Sequence, residues 1–248
     1  MQELIANVAT TGASLHFVHI TSSGQKQTPL ALELIDSARA RGLDITTEMY
    51  PYEAASTNIR APIFDPGFRQ RLGIDYGDLL WPATGERLTE ETFERYRRSG
   101  GPVVAFVIPP EALRAALVHP GVMIASDAVE LINGQGHPRG IGANGRVLGR
   151  YMREEQWLPL PEPIRKMTLL PAKRLESWVP QMKKKGRLKV GADADITIFD
   201  PSQVIDRATY EKPDQASTGF VHVPVNGAPV VRNSALVAGA TPGRAIRR

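Results

Sequence analysis

Two strand patterns separated by one helix pattern restrict the fold of this 248-residue chain more than any other feature of its sequence. An apolar run at 15–20 precedes residues 28–41, in which apolar side chains recur at helical spacing, and Gly42 stands where a helix is expected to end. A second apolar run at 44–50 completes the unit. Strand, helix and strand in this order predict a right-handed crossover between parallel strands, and therefore an α/β fold.

The strand pattern returns at 103–108 and again at 122–127, with a helix pattern at 111–118 between the two runs. Residues 62–100 interrupt this alternation with three prolines and no buried strand pattern. We expect them to form an insertion over the edge of the sheet, where lids and substrate-binding loops lie.

The last part of the chain changes character. From Leu188 onward it holds short β segments with hairpin turn residues, of which Asn226-Gly227 is the strongest turn signal. We therefore divide the chain into an α/β part at 1–180 and a small β module with the C-terminal tail at 181–248.

Composition excludes several classes of protein. The net charge is +4, but the basic residues are scattered, and Arg244, Arg247 and Arg248 form only a short tail, so no nucleic-acid partner is predicted. The chain has no cysteine, which excludes disulfides and thiolate metal sites. No leader pattern opens the chain and no apolar run approaches membrane length, so we expect a cytoplasmic protein without membrane contact.

Two residues at predicted strand ends are candidates for chemistry. Asp127 ends an apolar run, and α/β proteins place their catalytic groups at the C-terminal ends of buried strands. Asp also serves as a turn cap, so the run alone leaves both interpretations open. His16 and His19 face opposite ways in a strand, and His19, nearer the end, is the better candidate. A hydrogen-bonded core histidine is the alternative.

A G-x-G-x-x-G match at 140–145 lies in the glycine-rich loop predicted after Asp127. We do not interpret it as a dinucleotide site. Its glycines begin thirteen residues after the strand rather than in a tight turn, and no acidic strand end follows at the required distance.

Several longer motifs lie one after another along nearly the whole chain from Leu15. They occupy residues 18–20, 48–57, 119–127, 136–139, 165–175, 185–195 and 242–245. These motifs resemble those of the amidohydrolase superfamily. Tyr-Pro-Tyr at 50–52, Ser-Asp at 126–127 and His-Pro-Arg at 137–139 resemble, more narrowly, the N-acyl-D-amino-acid deacylase (D-aminoacylase) branch.

The resemblance implies a (β/α)8 barrel that holds one or two Zn2+ ions at the C-terminal ends of its strands and hydrolyses the amide bond of N-acyl-D-amino acids. It assigns Asp127 as the general base and as a ligand of the weakly held metal, and His19 as a ligand of the tightly held zinc. By the same resemblance, Tyr50, Ser56 and Arg139 match positions that hold the substrate's α-carboxylate and stabilise the tetrahedral intermediate. His137 lies in the same loop as Arg139 and completes the implied set of substrate-binding residues.

The chain departs from the family pattern in two ways. The lysine that usually follows the histidine by two residues is replaced by Thr21. The upstream metal-ligand motif has no counterpart, which leaves two protein ligands where catalytic zinc needs about three. The four strand patterns are also half of the eight that a closed barrel requires.

We therefore expect the C-terminal half of a (β/α)8 barrel followed by a small β module, as a fragment in which zinc is weakly held or absent. Its expected partners are a small N-acyl amino acid or related amide, and either a second copy of the chain or a complementing N-terminal half. Two other functions remain open, namely a hydantoinase- or dihydroorotase-like cyclic amidase, which the superfamily stretch alone would fit, and a non-catalytic remnant.

Overall fold

The structure is a computed structural model that describes residues 1–247, so Arg248 at the end of the basic tail lies outside the described residues. Helices cover α1 Gln2–Thr11, α2 Ile20–Gly24, α3 Thr28–Ala40, α4 Phe68–Leu72, α5 Glu90–Ser99, α6 Pro110–Val118, α7 Arg139–Arg146, the π-helix Val147–Glu154, α8 Pro161–Met167 and α9 Leu169–Leu175. Within residues 1–247, no helix has both the length and the apolar character that crossing a membrane requires.

Strands form three sheets. They are β1 Leu15–Phe17, β2 Ile45–Met49, β3 Ala55–Asn58, β4 Leu79–Trp81, β5 Glu86–Arg87, β6 Pro102–Ala105, β7 Val122–Ile124, β8 Ile198–Phe199, β9 Phe220–Val225, β10 Ala228–Arg232 and β11 Ala235–Leu236. The sheet orders are β1-β2-β7, β3-β6-β4-β5 and β11-β10-β9-β8.

The first sheet is parallel, as the strand-helix-strand pattern predicted. β2 is its central strand and pairs with β1 and with β7, with Phe17 opposite Thr47 and Met49 opposite Ile124. α3 connects β1 to β2 and packs beside α6 on this sheet. The predicted strand-helix-strand connection and the parallel pairing are therefore confirmed.

The two faces of this sheet differ in polarity at β1 and β2. Ile45, Thr47 and Met49 of β2 are buried on the helix side. On the other face, His16 forms a hydrogen bond of 2.7 Å with the Thr46 hydroxyl and lies 3.3 Å from the Glu48 carboxylate. This second face is therefore polar and half-buried at β1 and β2.

The strand predicted at 103–108 belongs to a different sheet from the one expected. β6 pairs antiparallel with β3 and with β4, not with the parallel strands. The predicted insertion at 62–100 also contains a buried strand, β4, in which all three residues are buried. Both corrections come from the pairing of β4 with β6. The apolar run 79–81 is short and ends at Pro82, and its partner strand β6 lies more than twenty residues further along the chain.

Residues 140–145, predicted to lie in the loop after Asp127, belong to the helix α7 instead, and their glycines permit close packing. A Cβ on Gly142 would lie 2.3 Å from the Tyr52 hydroxyl, and one on Gly145 would lie 2.7 Å from the Ser217 hydroxyl. α7 therefore approaches Tyr52 and the 204–217 segment more closely than any side chain would allow.

The C-terminal strands form an antiparallel sheet joined by the turn that the sequence predicted. Asn226 and Gly227 both have positive φ, at 48° and 78°, as a two-residue hairpin turn requires. Residues 188–190, predicted as a β segment, lie outside every described strand, and Leu188 and Val190 are largely exposed. They find no partner strand among residues 1–247, so their apolar alternation does not become a sheet.

Lys166 of α8 is fully buried and anchors this helix to the end of α6. Its ammonium group donates hydrogen bonds to the carbonyls of Leu117 and His119, which a helix leaves free at its C-terminus. It has no carboxylate partner within 4 Å in the described residues. Burial therefore lowers the pKa of Lys166 to about 8.

We expect this lysine to make stability rise with pH. The pKa of Lys166 is about 8 in the folded chain and 10.5 ordinarily, so between these values the unfolded chain binds more protons. The free energy of unfolding should increase by up to about 3 kcal/mol from pH 8 to 10.5 relative to Lys166→Met. Urea unfolding of both proteins across this range measures the difference, and parallel pH dependences would contradict it.

Candidate active site

The three parallel strands end at one edge of their sheet, and a predicted site residue follows each of them. His19 comes two residues after β1, Tyr50 directly after β2, and Asp127 three residues after β7. Because parallel strands present their carboxyl ends together, residues distant in the sequence meet here.

A cavity of about 670 Å3 opens at this edge. Five of the predicted site residues line it, namely His19, Tyr50, Ser56, Asp127 and Arg139. The remaining wall includes Ile63, Gln70, Arg71, Leu72 and Gly73 from the predicted insertion. The early part of the insertion therefore does form one side of the cavity, as expected for a lid or substrate loop.

An ion pair between Arg139 and Asp127 lies at the strand end of the cavity. The Arg139 guanidinium is 3.0 Å from the Asp127 carboxylate and 4.6 Å from the centre of the Tyr50 ring. Arg139 is almost fully buried, whereas the Asp127 side chain is 30% exposed. The carboxylate is thus held by a fixed cation and still reaches the cavity.

Two buried polar atoms beside this ion pair have no hydrogen-bond partner in the described residues: the Tyr50 hydroxyl and the Arg139 Nε. A buried polar group without a partner is costly, so such groups commonly mark positions where a ligand binds. Burial raises the pKa of Tyr50. The hydroxyl therefore stays protonated at neutral pH and is available as a donor.

Three of the eight non-glycine residues with positive φ in the described chain lie at the same cavity. His19, Gln25 and Asp127 have positive φ values of 38°, 47° and 49°, which side-chain-bearing residues rarely adopt. All three line the cavity. Such strain persists only where the surrounding structure enforces it, and it clusters at functional sites.

His137, the remaining predicted substrate-binding residue, does not line the cavity. It is 1% exposed, its Nε2 donates to the Ala54 carbonyl at 3.0 Å, and its Nδ1 accepts the Arg139 N–H at 3.1 Å. Both ring nitrogens are therefore used by hydrogen bonds within the protein, and one of them holds the backbone of Arg139. Its ring also meets those of Tyr52 and Tyr210 edge-on, each at 5.2 Å.

The two histidines have different surroundings, because His16 lies in β1 and His19 lies beyond the end of β1 at the start of α2. His19 lines the cavity and hydrogen-bonds Ser23 at 3.1 Å. His16 instead pairs with Thr46 and Glu48 on the polar face of the sheet. Thr21, which stands at the family's lysine position, is fully buried and does not line the cavity.

The donor set for a metal is incomplete in this chain. Within residues 1–247, no group of three or more His, Cys, Asp or Glu side chains is placed to hold a metal ion. His19 and Asp127 supply two donors, and Asp127 already binds Arg139. Catalytic zinc takes about three protein ligands, so the described residues alone do not fit it.

Several lining residues were missed by the sequence reasoning. Ser22, Lys26 and Arg71 reach the cavity from the short helices α2 and α4 and the turn that follows α2. Exposed polar residues in short helices carry no local signal of function, and their approach to one cavity is decided by tertiary packing.

His137 should make the folded site sensitive to acid. Burial lowers the pKa of His137 to about 3 from an ordinary 6.5, so below pH 6.5 the unfolded chain binds the proton that the folded chain excludes. The free energy of unfolding should fall by about 5 kcal/mol from pH 6.5 to 3 through this group.

The matched variant is His137→Gln, which retains a side-chain donor but does not titrate. Urea unfolding midpoints between pH 7 and 4 should decline more steeply for the unmodified chain than for His137→Gln. Equal slopes would show that another group controls the acid sensitivity.

Deacylases are among the known proteins that are similar to this chain. The chain is 34% identical over 227 residues to N-acyl-D-glutamate deacylase of Alcaligenes xylosoxydans xylosoxydans, covering 86% of this chain and 43% of that protein. It is also 34% identical over 227 residues to D-aminoacylase of the same organism, covering 88% and 44%. The chain thus spans less than half the length of these curated relatives.

Solved structures of deacylases are also similar to this chain. N-acyl-D-glutamate deacylase from Bordetella bronchiseptica, solved with zinc and a phosphonate mimic of the tetrahedral intermediate, superposes with a TM-score of 0.79 at 28% identity. A D-aminoacylase superposes with a TM-score of 0.82 at 27% identity, and each match covers 100% of this chain and 52% of the other. The model of the amidohydrolase family matches residues 3–231. This chain therefore belongs to the amidohydrolase family, whose deacylases act on carbon–nitrogen bonds other than peptide bonds.

Proposed function

We propose that this chain forms the acid–base and substrate-binding half of a zinc-dependent deacylase that hydrolyses N-acyl-D-amino acids or similar acylated amines. The observation that carries the proposal is the cavity at the strand ends, where the Asp127–Arg139 ion pair adjoins the unpartnered Tyr50 hydroxyl. The names of the similar deacylases and the phosphonate-bound relative support the same reaction class.

Asp127 is the proton carrier in this proposal. Its carboxylate is partly exposed to the cavity, so it can accept a proton from the attacking water and pass it to the departing amine. Arg139 remains charged throughout and holds the carboxylate in one orientation. Because Asp127 accepts one proton and then donates that proton, its carboxylate is again unprotonated at the start of the next cycle.

Arg139, Tyr50 and Ser56 orient the substrate. A guanidinium recognises a carboxylate in a planar, two-point fashion, and the free Nε of Arg139 provides a donor for the substrate's α-carboxylate. The neutral Tyr50 hydroxyl can donate to the oxyanion of the tetrahedral intermediate. Ser56 lines the same cavity from β3, at the edge of the antiparallel sheet.

Zinc requires more than this chain supplies. A zinc ion lowers the pKa of its bound water to about 7, which is the chemistry that the resemblance implies. His19 and Asp127 provide two donors within the described residues, so we propose that further ligands come from a segment that complements the chain. The three parallel strands would then continue into the rest of a (β/α)8 barrel.

The test of the base is Asp127→Asn in the enzyme assembled with such a complementing segment. The asparagine keeps the size and the contact to Arg139 but cannot accept the proton, so kcat for N-acetyl-D-amino acids should fall by about 10²–10⁴-fold. Asp214→Asn, an exposed carboxylate outside the cavity, is the control. Full turnover by Asp127→Asn would remove the proposed role.

The unpaired edges of the parallel sheet give a second prediction. β1 and β7 each have one strand partner in the described chain, and Val18 beyond β1 is 48% exposed. Exposed edges of apolar strands pair with other chains, so the 248-residue chain should self-associate. Because His19 and Asp127 supply only two metal donors, the chain should also retain less than one zinc per chain after dialysis.

Light scattering after size-exclusion chromatography measures this directly. Val18→Lys, which charges the β1 edge, should shift the chain toward monomer, and Val237→Lys, an exposed valine of the C-terminal region, should not. A concentration-independent monomer with a cooperative melt and firmly bound zinc would contradict the proposed incomplete barrel.

A cyclic amidase is the second candidate function. The chain is 26% identical over 208 residues to a dihydroorotase of Syntrophus aciditrophicus, and Thr21 removes one cation expected for a substrate carboxylate. A panel comparing N-acetyl-D-amino acids with cyclic amides that lack a carboxylate separates the two reactions. Faster turnover of the cyclic amides would favour this alternative.

A further inference from the structure

A second ion pair lies behind the candidate site, at the other end of the helix that carries Arg139. Arg139 is the first residue of α7 and Arg146 is the last. The Arg146 guanidinium is 2.9 Å from the Asp206 carboxylate, and the two side chains are only 16% and 8% exposed. Neither of these two residues lines the cavity. The pair therefore joins α7 to the C-terminal part of the chain without facing a substrate.

The segment 204–206 is in close contact with α7 and with the π-helix that continues it. A Cβ on Gly142 would lie 3.1 Å from the Asp206 Cβ. The Arg153 guanidinium, in the π-helix, donates to the Val204 carbonyl. Because packed interiors transmit displacements, a shift of this segment would be passed directly to α7.

Aromatic contacts connect Arg146 to the site by a second route. The Arg146 guanidinium lies 4.5 Å from the centre of the Tyr52 ring, and the centre of that ring is 5.2 Å from the centre of the His137 ring. The His137 Nδ1 accepts the backbone N–H of Arg139 at 3.1 Å. Arg139 is thus held both through its own helix and through these two rings, and both routes begin at Arg146.

Arg146 depends on Asp206 for charge compensation. Among residues 1–247, Asp206 is the only carboxylate within 4 Å of the Arg146 guanidinium. A buried charge that loses its partner is strongly unfavourable. Without the Asp206 carboxylate, we expect Arg146 to turn toward solvent and the last turn of α7 to move with it.

We propose that Asp206 is a positioning residue for the deacylase reaction, because through Arg146 it sets the orientation of α7 and therefore of the Arg139 guanidinium beside Asp127. The inference rests on the proposed function, in which Arg139 binds the α-carboxylate of the substrate. Asp206 itself contacts neither the substrate nor the reacting atoms.

Hydrogen exchange of the Arg139 amide tests this connection without a ligand. The N–H is buried against His137, so its protection measures how firmly the first turn of α7 is held. In the 248-residue chain, Asp206→Asn should lower the protection of the Arg139 amide about 10-fold. The Leu88 amide, which donates to the Leu79 carbonyl of β4, should keep its protection.

Two further variants accompany this measurement. Asp206→Glu keeps the negative charge and should retain most of the protection at Arg139. Glu176→Gln removes the charge from another part-buried ion pair, formed with Arg187 away from α7, and should leave the Arg139 amide unchanged.

If Asp206→Asn does not fold, the double variant Asp206→Leu with Arg146→Met takes its place. Replacing both members of a buried ion pair by apolar side chains often preserves stability. This variant also lacks the charge that connects the segment 204–206 to Tyr52, so it should show the same loss of protection at Arg139.

Ligand binding measures the consequence for the site. N-acetyl-D-alanine and N-acetyl-D-alaninamide differ in the carboxylate that Arg139 is proposed to bind, and ligand-observed NMR gives their dissociation constants without turnover. Asp206→Asn should weaken binding of N-acetyl-D-alanine about 10-fold and leave binding of the carboxamide unchanged. In an Arg139→Lys background, Asp206→Asn should have little further effect, because the two residues act through one contact.

Three outcomes would overturn the inference. Unchanged protection of the Arg139 amide in Asp206→Asn would remove the connection. Equal loss of protection at Arg139 and Leu88, or equal weakening of both ligands, would show general destabilisation in place of positioning. Additive effects of Asp206→Asn and Arg139→Lys would show that Asp206 acts elsewhere. Binding of neither ligand by the unmodified chain would contradict the proposed function, and the exchange measurement would still decide whether Asp206 holds Arg139.

Discussion

The ion pair between Arg139 and Asp127 is the interaction on which the candidate site depends. It joins the first residue of α7 to the residue that follows β7 across 3.0 Å, and the guanidinium is almost fully removed from solvent. Loss of one partner from a fully buried pair costs about 3–5 kcal/mol, and less here because Asp127 is partly exposed. The pair therefore fixes the Asp127 carboxylate at the wall of the cavity.

His137 extends this constraint to distant parts of the chain. Its ring connects the Arg139 backbone to the Ala54 carbonyl, and it packs against Tyr52 and Tyr210. Tyr210 lies in the part of the chain that the sequence assigned to the small β module. Residues around 204–217 thus pack against α7 and support the site, so the proposed boundary at residue 181 does not separate two independent packing units.

In the proposed function, two features on the β1 side of the molecule would be completed by a further segment. β1 has one strand partner in the described residues. His19, which follows β1, is one of the two candidate metal donors at the cavity, and Asp127 is the other. A segment added beside β1 would extend the sheet and bring further ligands close to His19. The chain's coverage of less than half of its curated relatives gives room for such a segment.

Local chemistry allowed much of this structure to be predicted from the sequence. The parallel β-α-β unit follows from hydrophobic spacing and Gly42, and the hairpin at Asn226-Gly227 follows from their tolerance of positive φ. The gathering of His19 and Asp127 at one cavity follows because both end parallel strands. Each of these conclusions depends on a few neighbouring residues and on a general rule of chain geometry.

Tertiary structure alone decided the rest. The sheet to which β6 belongs depends on its pairing with β4, and the helical state of the glycine-rich segment depends on close packing against Tyr52 and Ser217. The withdrawal of His137 from the cavity and the approach of Lys26 to it are likewise set by elements far away in the sequence. Strand partners and burial are non-local properties, because the energy that selects them comes from contacts between segments that the sequence order does not bring together.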